Sequence, residues 1–515
     1  MTSKTGTGVR SSHGAGAEAG RGPRRRWLAA AVLTVGALMD LVDVTIVNVA
    51  LPTIRRDLNA GATQLEWVVS GYMLAFAASL IIAGNLGDKF GRKRMFLVGV
   101  AVFGAASLCA GVSGTTGELI AARVVQGGGA AAMAPQVLAT FRVIFSGQER
   151  GRAFALYGAM AGLASAIGLV LGGVLTDANL FGWSWRAVFF ANVPIALGAL
   201  AAGVRLIPET RDPKAGRPDL PAGALLAGGL VAIVYPLLEG RDLGWPAWTW
   251  PVLAAGVAAI VALALREARG LRAGHGRRAG FGAVAPLLRP RLFRIPAFAA
   301  GLGVLVAWGA GMQGFFLTFA LWLQAGEHYS PLKAGLTALA FSAGSFALAP
   351  VSLPLALKYG RRVLVAGAVL MAGGAAGVLA VISTVGVNGS PWPVVPGLVV
   401  AGAGLALILI PLGNVVLAAV PPEAAGGASG LFSTAQQLGG AVGVALLGTI
   451  FFGWVTAGHT FAAAMSHSAP YAIGAFALCA ALSLLLPRTA VSEEALNGAD
   501  NDDAQMAGEQ VRQSW

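Results

Sequence analysis

The stretch 84-GNLGDKFGRKRMF-96 decides how the chain is to be read. Of 515 residues, 56% are hydrophobic and 11% charged, yet Asp88, Lys89, Arg92, Lys93 and Arg94 place five charges within seven positions. Apolar runs of about 20 residues, the length a bilayer-crossing helix needs, flank the stretch on both sides. Working outward, fourteen such runs can be drawn, at about 27–50, 65–83, 96–113, 118–141, 153–175, 185–204, 220–238, 248–265, 297–320, 334–355, 363–384, 394–418, 427–453 and 469–486. Mean hydropathy is +0.72. The expectation is an all-α polytopic membrane protein.

The net charge of +13 is distributed in a way that argues against a nucleic-acid partner. With the amino terminus inside, 30 of the 36 Lys and Arg fall on inner segments, the bias that places both termini in the cytoplasm. Basic residues interleaved with aromatics, as nucleic acid would require, are not seen. The start 23-PRRRWLAAAVL-33 has the flavour of an export signal, but its apolar run continues to about residue 50 and contains two aspartates, so it reads as the first span. Cys109 and Cys479 lie in apolar runs without metal-ligand spacing and read as packing residues. The five histidines are scattered, and no phosphate loop or nucleophile–base set supports an enzyme or an ATP-driven pump.

The segment 354-PLALKYGRRV-363 echoes 85-NLGDKFGRKR-94, with Leu357 where the first copy has Asp88. Two related halves with matching inner turns are what a transporter built from repeats would show. The expected organisation is a disordered cytoplasmic tail at 1–26, a six-helix half at 27–204, two extra central helices at 220–265, a basic cytoplasmic loop at 266–296, a second six-helix half at 297–486 and a second tail at 487–515.

Several motifs together resemble the fourteen-span drug:proton antiporter branch of the major facilitator superfamily. The opening stretch looks like the superfamily signature between spans 2 and 3. The run 39-MDLVDVTIVNVALP-52 is similar to the branch's span-1 motif, 66-EWVVSGYMLAFAA-78 to its second span, 123-RVVQGGGAAAMAP-135 to its span-4 arginine motif and 433-STAQQLGGAVGVALLGT-449 to its span-13 pattern. One departure stands out: in 168-GLVLGG-173 the span-5 antiporter motif (Gly168, Gly172, Gly173) has Leu169 in place of a proline. The resemblance implies a major facilitator fold of two six-helix halves plus two extra central helices. It also implies proton-coupled export of lipophilic drugs, with no cofactor beyond the proton gradient. A proton-coupled importer of a small organic solute on the same fold stays open, because of Leu169. Thirty Arg against six Lys suggest a GC-rich bacterial genome, hence a bacterial cell membrane. Expected partners are a drug or antibiotic, protons and the bilayer, without an obligate protein partner.

Asp40 and Asp43, three residues apart, share one helix face. An intramembrane aspartate is costly and marks function by default. Asp43 lies ~10 Å and Arg123 ~8 Å from the outer ends of their spans, so the two can pair. The family implies that Asp43 couples proton and drug, with Asp40 as its possible substitute and Arg123 tuning its proton affinity; a permanent structural pair is the alternative. In the opening stretch Gly84, Gly87 and Gly91 permit close passage under neighbouring helices. Asp88, Arg92 and Lys93 read as a conformational latch, the basic residues also anchoring the turn at the inner lipid face. Candidates for the substrate cavity are Asn48, Tyr72, Gln126, Gln136, Gln313, Asn414, Gln436 and Gln437, with Trp308, Phe315 and Phe316 as stacking faces; each serves equally well in helix–helix bonding. Glu66, Glu118 and Glu239 fall near span ends, which favours neutral, monocationic or amphipathic drugs over dications.

Overall fold

The structure, a computed structural model, describes residues 23–145, 147–211, 217–240, 243–272, 284–285, 292–384, 390–418 and 425–486. The expected tails (residues 1–22 and 487–515) and most of the basic segment 273–291 lie outside the described residues. The first half comprises α1 Pro23–Asp57, α2 Ala62–Phe90, α3 Arg92–Val112, α4 Thr116–Ile144, α5 Gly147–Asp177, α6 Arg186–Phe190 and α7 Asn192–Leu206. Next come α8 Leu220–Glu239 and α9 Thr249–Arg272. The second half holds α10 Pro296–Leu321, α11 Pro331–Tyr359, α12 Arg361–Thr384, α13 Val395–Ala418, α14 Ala425–Thr456 and α15 Phe461–Ser483. Two two-residue strands, β1 Arg217–Pro218 and β2 Val284–Ala285, pair in parallel.

Eleven helical spans among the described residues are long and apolar enough to cross a membrane. The chain is thus a multi-pass membrane protein. α4 is not among the eleven, because Glu118, Arg123, Gln126 and Gln136 lower its hydropathy. It gains from small residues instead: a side chain at Gly127 would collide with the Tyr72 carbonyl, and one at Gly129 with the α3 backbone at Phe103. Exposed Phe181, Trp183, Trp245, Trp248 and Trp392 lie on the α5–α6, α8–α9 and α12–α13 connections, and exposed Trp250 in the first turn of α9. Alternating helix direction brings these connections to one end of the bundle, where they form the aromatic belt of a membrane interface.

The apolar run 185–204 forms one span, Arg186–Leu206, whose hydrogen-bond ladder is interrupted at a single point. It divides into α6 and α7 at Ala191, since Pro194 has no N–H to offer the Phe190 carbonyl. In the opposite sense, the charged stretch 84–96 is mostly helix rather than a loop. α2 runs through Gly84, Gly87 and Asp88 to Phe90, and the break is confined to Gly91, at φ +116°. The echo behaves alike: α11 runs to Tyr359 and breaks at Gly360, at φ +59°. A left-handed backbone at both places is the physical reason each copy carries glycine there.

α2 packs along α14 and α5 along α11, so these pairs form the seams between the halves. α8 lies against α2, α9 and α14. Trp67 Nε1 of α2 donates to Glu239 of α8 at 2.9 Å, and Thr449 Oγ1 of α14 donates to the Leu237 carbonyl at 3.2 Å. The extra hairpin is therefore fastened to both sides of one seam.

Candidate functional site

The centre of the first half is a buried polar cluster. Asp43 on α1 is fully buried and ion-paired with Arg123 of α4, itself buried. Its other oxygen accepts from Gln126 Nε2 at 2.9 Å and Asn192 Nδ2 of α7 at 3.1 Å. Arg123 in turn donates through Nε to the Val68 carbonyl of α2 at 3.0 Å and through Nη1 to Gln126 Oε1 at 2.7 Å. Gln126 also donates to Ser107 of α3 at 2.9 Å. Five helices thus join one network around the carboxylate, which is itself bonded from α4 and α7, the arrangement a buried charge requires. One turn along α1, Asp40 accepts from the Tyr72 hydroxyl. The Tyr72 ring lies under the Arg123 guanidinium, 4.2 Å from its carbon to the ring centroid. The two aspartates share a helix face, but each has its own partner, and those partners touch.

Asn192 and Ser107 escaped the sequence reading. Asn192 is the lone amide in the run 185–204, and that is the signal by which it could have been found.

The 84–94 stretch forms a second cluster. Asp88 accepts from Arg92 through Nε at 3.0 Å and Nη2 at 2.8 Å, spanning the break at Gly91. Glu209, beyond α7, accepts from the Lys93 backbone N–H at 3.2 Å and lies 3.6 Å from Arg94 Nε. An anion at the first turn of α3 is favoured by the helix dipole. Lys93 Nζ donates to the Val204 carbonyl at 2.7 Å and the Arg92 N–H to the Thr210 carbonyl at 3.0 Å. In the second half Arg361 donates to the carbonyls of Leu484 and Leu486 at the end of α15. Each copy is therefore tied to the last helix of its own half.

The antiporter-motif glycines are contact points. A Cβ at Gly168 or Gly172 would collide with α1 at Thr45 or Ile46, and one at Gly173 with the α11 backbone at Leu332. Opposite, a Cβ at Gly335 of α11 would strike the Leu169 carbonyl. The end of the bundle where α5 finishes and α11 begins is closed by this backbone-to-backbone approach. α5 is continuous through Leu169, which is buried in the same seam. At that end Glu66, close to a span end in sequence, is fully buried against Gly448 of α14.

The cavity candidates disperse. Tyr72 and Gln126 belong to the aspartate cluster. Gln136 is buried at Gly87, where it donates to the Ala83 carbonyl at 3.1 Å. Gln313 of α10 reaches Met73 of α2 at 3.9 Å, beside Gly440 of α14, where the halves meet. Gln436 and Gln437 are half-buried on α14, whereas Asn414 is exposed and bonds its own helix at Ile410. Asn48 donates to the Val44 carbonyl at 3.2 Å and borders the closed end. Trp308, Phe315 and Phe316 are buried.

The family model of the Major Facilitator Superfamily matches residues 33–226 and 220–444. The chain is 40% identical over 436 residues to the probable actinorhodin transporter of Streptomyces coelicolor, covering 83% of this chain and 73% of that protein. It is 34% identical to the tetracenomycin C resistance and export protein of Streptomyces glaucescens, over 83% and 76% of the two chains. Against the multidrug resistance protein Stp of Mycobacterium tuberculosis the identity is 32%, over 82% and 75%. Among solved structures, a peptide transporter POT in complex with sulfate superposes with a TM-score of 0.61 at 18% identity, covering 90% of this chain and 97% of that one. An auto-inhibited POT family peptide transporter gives 0.64 at 16% identity, over 90% and 96%. At these identities the structural likeness speaks for the fold alone.

Proposed function

The chain belongs to the major facilitator superfamily, and we propose that it exports lipophilic drugs or antibiotics from the bacterial cytoplasm or inner leaflet in exchange for protons. Relatives at 32–40% identity that are named for antibiotic transport, export or multidrug resistance support the export half of this reading. The proton half rests on one observation: Asp40 and Asp43 share a face of α1 and are joined through the contact of Tyr72 with Arg123.

A proton arriving at Asp43 would remove the counter-charge of Arg123. The guanidinium, still held by Val68 and Gln126, would then have Asp40 as the nearest remaining carboxylate of the cluster, across the Tyr72 ring. Proton binding and rearrangement of the α1–α4 contact are thereby one event. Because Gly168 and Gly172 lay α5 directly on α1 and Gly173 lays it on α11, a shift of α1 acts on the closed seam. The excess of Lys and Arg on the other end supports a cytoplasmic location for both termini, making the closed end the outer one. Opening it with a drug bound and closing it once protons have entered is alternating access.

The test is drug susceptibility of an efflux-deficient bacterium expressing the wild type or an equally expressed Asp43→Asn variant, on a broad antibiotic and dye panel. Protection by the wild type and its loss in the variant is the expected result. Protection by neither would overturn export. Protection by both would leave export standing and move the coupling to Asp40 or elsewhere.

A further inference from the structure

α10 does not stop at Leu321. It runs on as a five-residue π-helix, Trp322–Gly326, a widening of the helix that recurs at functional sites. The wide turn carries Gln324, which reaches across the halves and donates from Nε2 to the Val49 carbonyl of α1 at 2.8 Å. Asn48, next to that carbonyl, has its own Nδ2 committed to Val44. Gln324 and Asn48 are 9% and 6% exposed, and their oxygens, Oε1 and Oδ1, have no hydrogen-bond partner among the described residues. A buried amide oxygen without a donor is expensive, so two beside one cavity are an unusual concentration of acceptor capacity.

Both residues line the same cavity of about 20 Å³, room for roughly one water, between α1, α5, α10 and α11. Its other walls include Leu169, Phe316, Phe319 and Ala338. Phe316 meets Phe319 and Phe341 edge-on, at 6.5 and 5.0 Å between centroids, so an aromatic wall stands beside the two acceptors. The acceptors come from opposite halves, and the cavity lies in the closed seam.

We propose that Asn48 and Gln324 form an exit-side subsite that accepts hydrogen bonds from N–H or O–H groups at the edge of an aromatic substrate. The proposal rests on the export reading and adds to it the class of compound favoured. As the halves part, a substrate passing between them sets its ring against Phe316 and Phe319 and its donors on the amide oxygens. A compound of the same ring and charge without donors leaves the acceptors unpaired and is held less well.

Proflavine and acridine orange test this directly. They share a cationic acridine ring, and acridine orange has N-methyl groups in place of every amine N–H of proflavine. Binding of each dye to the purified full-length protein is read by fluorescence polarisation for the wild type, Gln324→Met and Asn48→Leu. The expected result is a ratio of proflavine to acridine orange affinity that falls about tenfold in each variant, the worth of one hydrogen bond. Because the ratio is taken within one protein, a general loss of folded material cancels. An unchanged ratio overturns the subsite and leaves the two amides as a structural clasp. Failure of the wild type to bind either dye also overturns it, while the susceptibility panel decides separately whether the protein exports drugs.

Discussion

Arg123 sits over the ring of Tyr72, 4.2 Å from guanidinium carbon to ring centroid, and through that contact the ion pair of Asp43 adjoins the hydrogen bond of Asp40. Removing the cation alone strands a buried carboxylate. Arg123→Ala is expected to cost about 3–5 kcal/mol of stability. The double variant Arg123→Ala/Asp43→Asn, which removes both charges, should recover much of that loss. Thermal unfolding of the purified proteins checks the order: wild type highest, double variant next, Arg123→Ala lowest.

Tyr72→Phe keeps the ring under Arg123 and deletes only the hydroxyl that serves Asp40. Its stability should fall by about 1 kcal/mol, the net worth of a typical hydrogen bond, up to ~3 kcal/mol with an acceptor left unserved. If Asp40 takes part in proton exchange, the pH profile of drug export in inverted vesicles shifts in this variant. A profile superposable on the wild type would assign Asp40 and Tyr72 a packing role.

Gly173 and Gly335 are where the α5 and α11 backbones approach. Gly335→Ala should fold, at a cost of about 1–3 kcal/mol for overpacking, but hold the seam apart. Export should fall sharply in the susceptibility assay while protein level in the membrane stays near that of wild type. A thiol placed at Leu332 should react faster with an impermeant reagent than the same thiol in the parent.

Glu209 has the Gly91 break beside it and Arg94 and the Lys93 N–H as partners, all near one membrane interface. Because the pair with Arg94 is largely solvated, Glu209→Gln should cost no more than about 1 kcal/mol. As part of the latch it should nevertheless slow export, as Asp88→Asn is expected to. Export rates for the two single variants and the double, from dye efflux, distinguish one latch (no further loss in the double) from two separate functions (losses that multiply).

Much of this architecture is legible in the sequence because membrane helices announce themselves by length and hydropathy. The pairing of Asp43 with Arg123 could be anticipated too, since depth along a span is counted in residues. Facing cannot be counted in that way. Gln126 and Gln136 are in-span amides like Gln313, yet one serves Asp43, one serves the α2 backbone at Ala83, and only Gln313 reaches across the halves. Gln324 was hidden for another reason: its apolar run ends at about 320, and the π-helix that carries the helical ladder on to Gly326 has no hydropathy signature. Glu209, 116 positions from Lys93, becomes a partner only through the fold. Glu66 shows the same limit from the other side, since a residue near the end of a span can still be covered by a neighbouring helix.

The fastening of α8 to both α2 and α14 has a consequence for how the molecule is assembled. Chain order delivers α8 to the bilayer before any part of α10–α15 has been synthesised. The surface made by α2 and α8, with Glu239 already within reach of Trp67, can therefore exist while α14 is still unmade. When α14 arrives, the Leu237 carbonyl is waiting for Thr449 on a helix already docked. In chain order, the inserted hairpin is thus available as a surface on which α14 can pack as the later half is made.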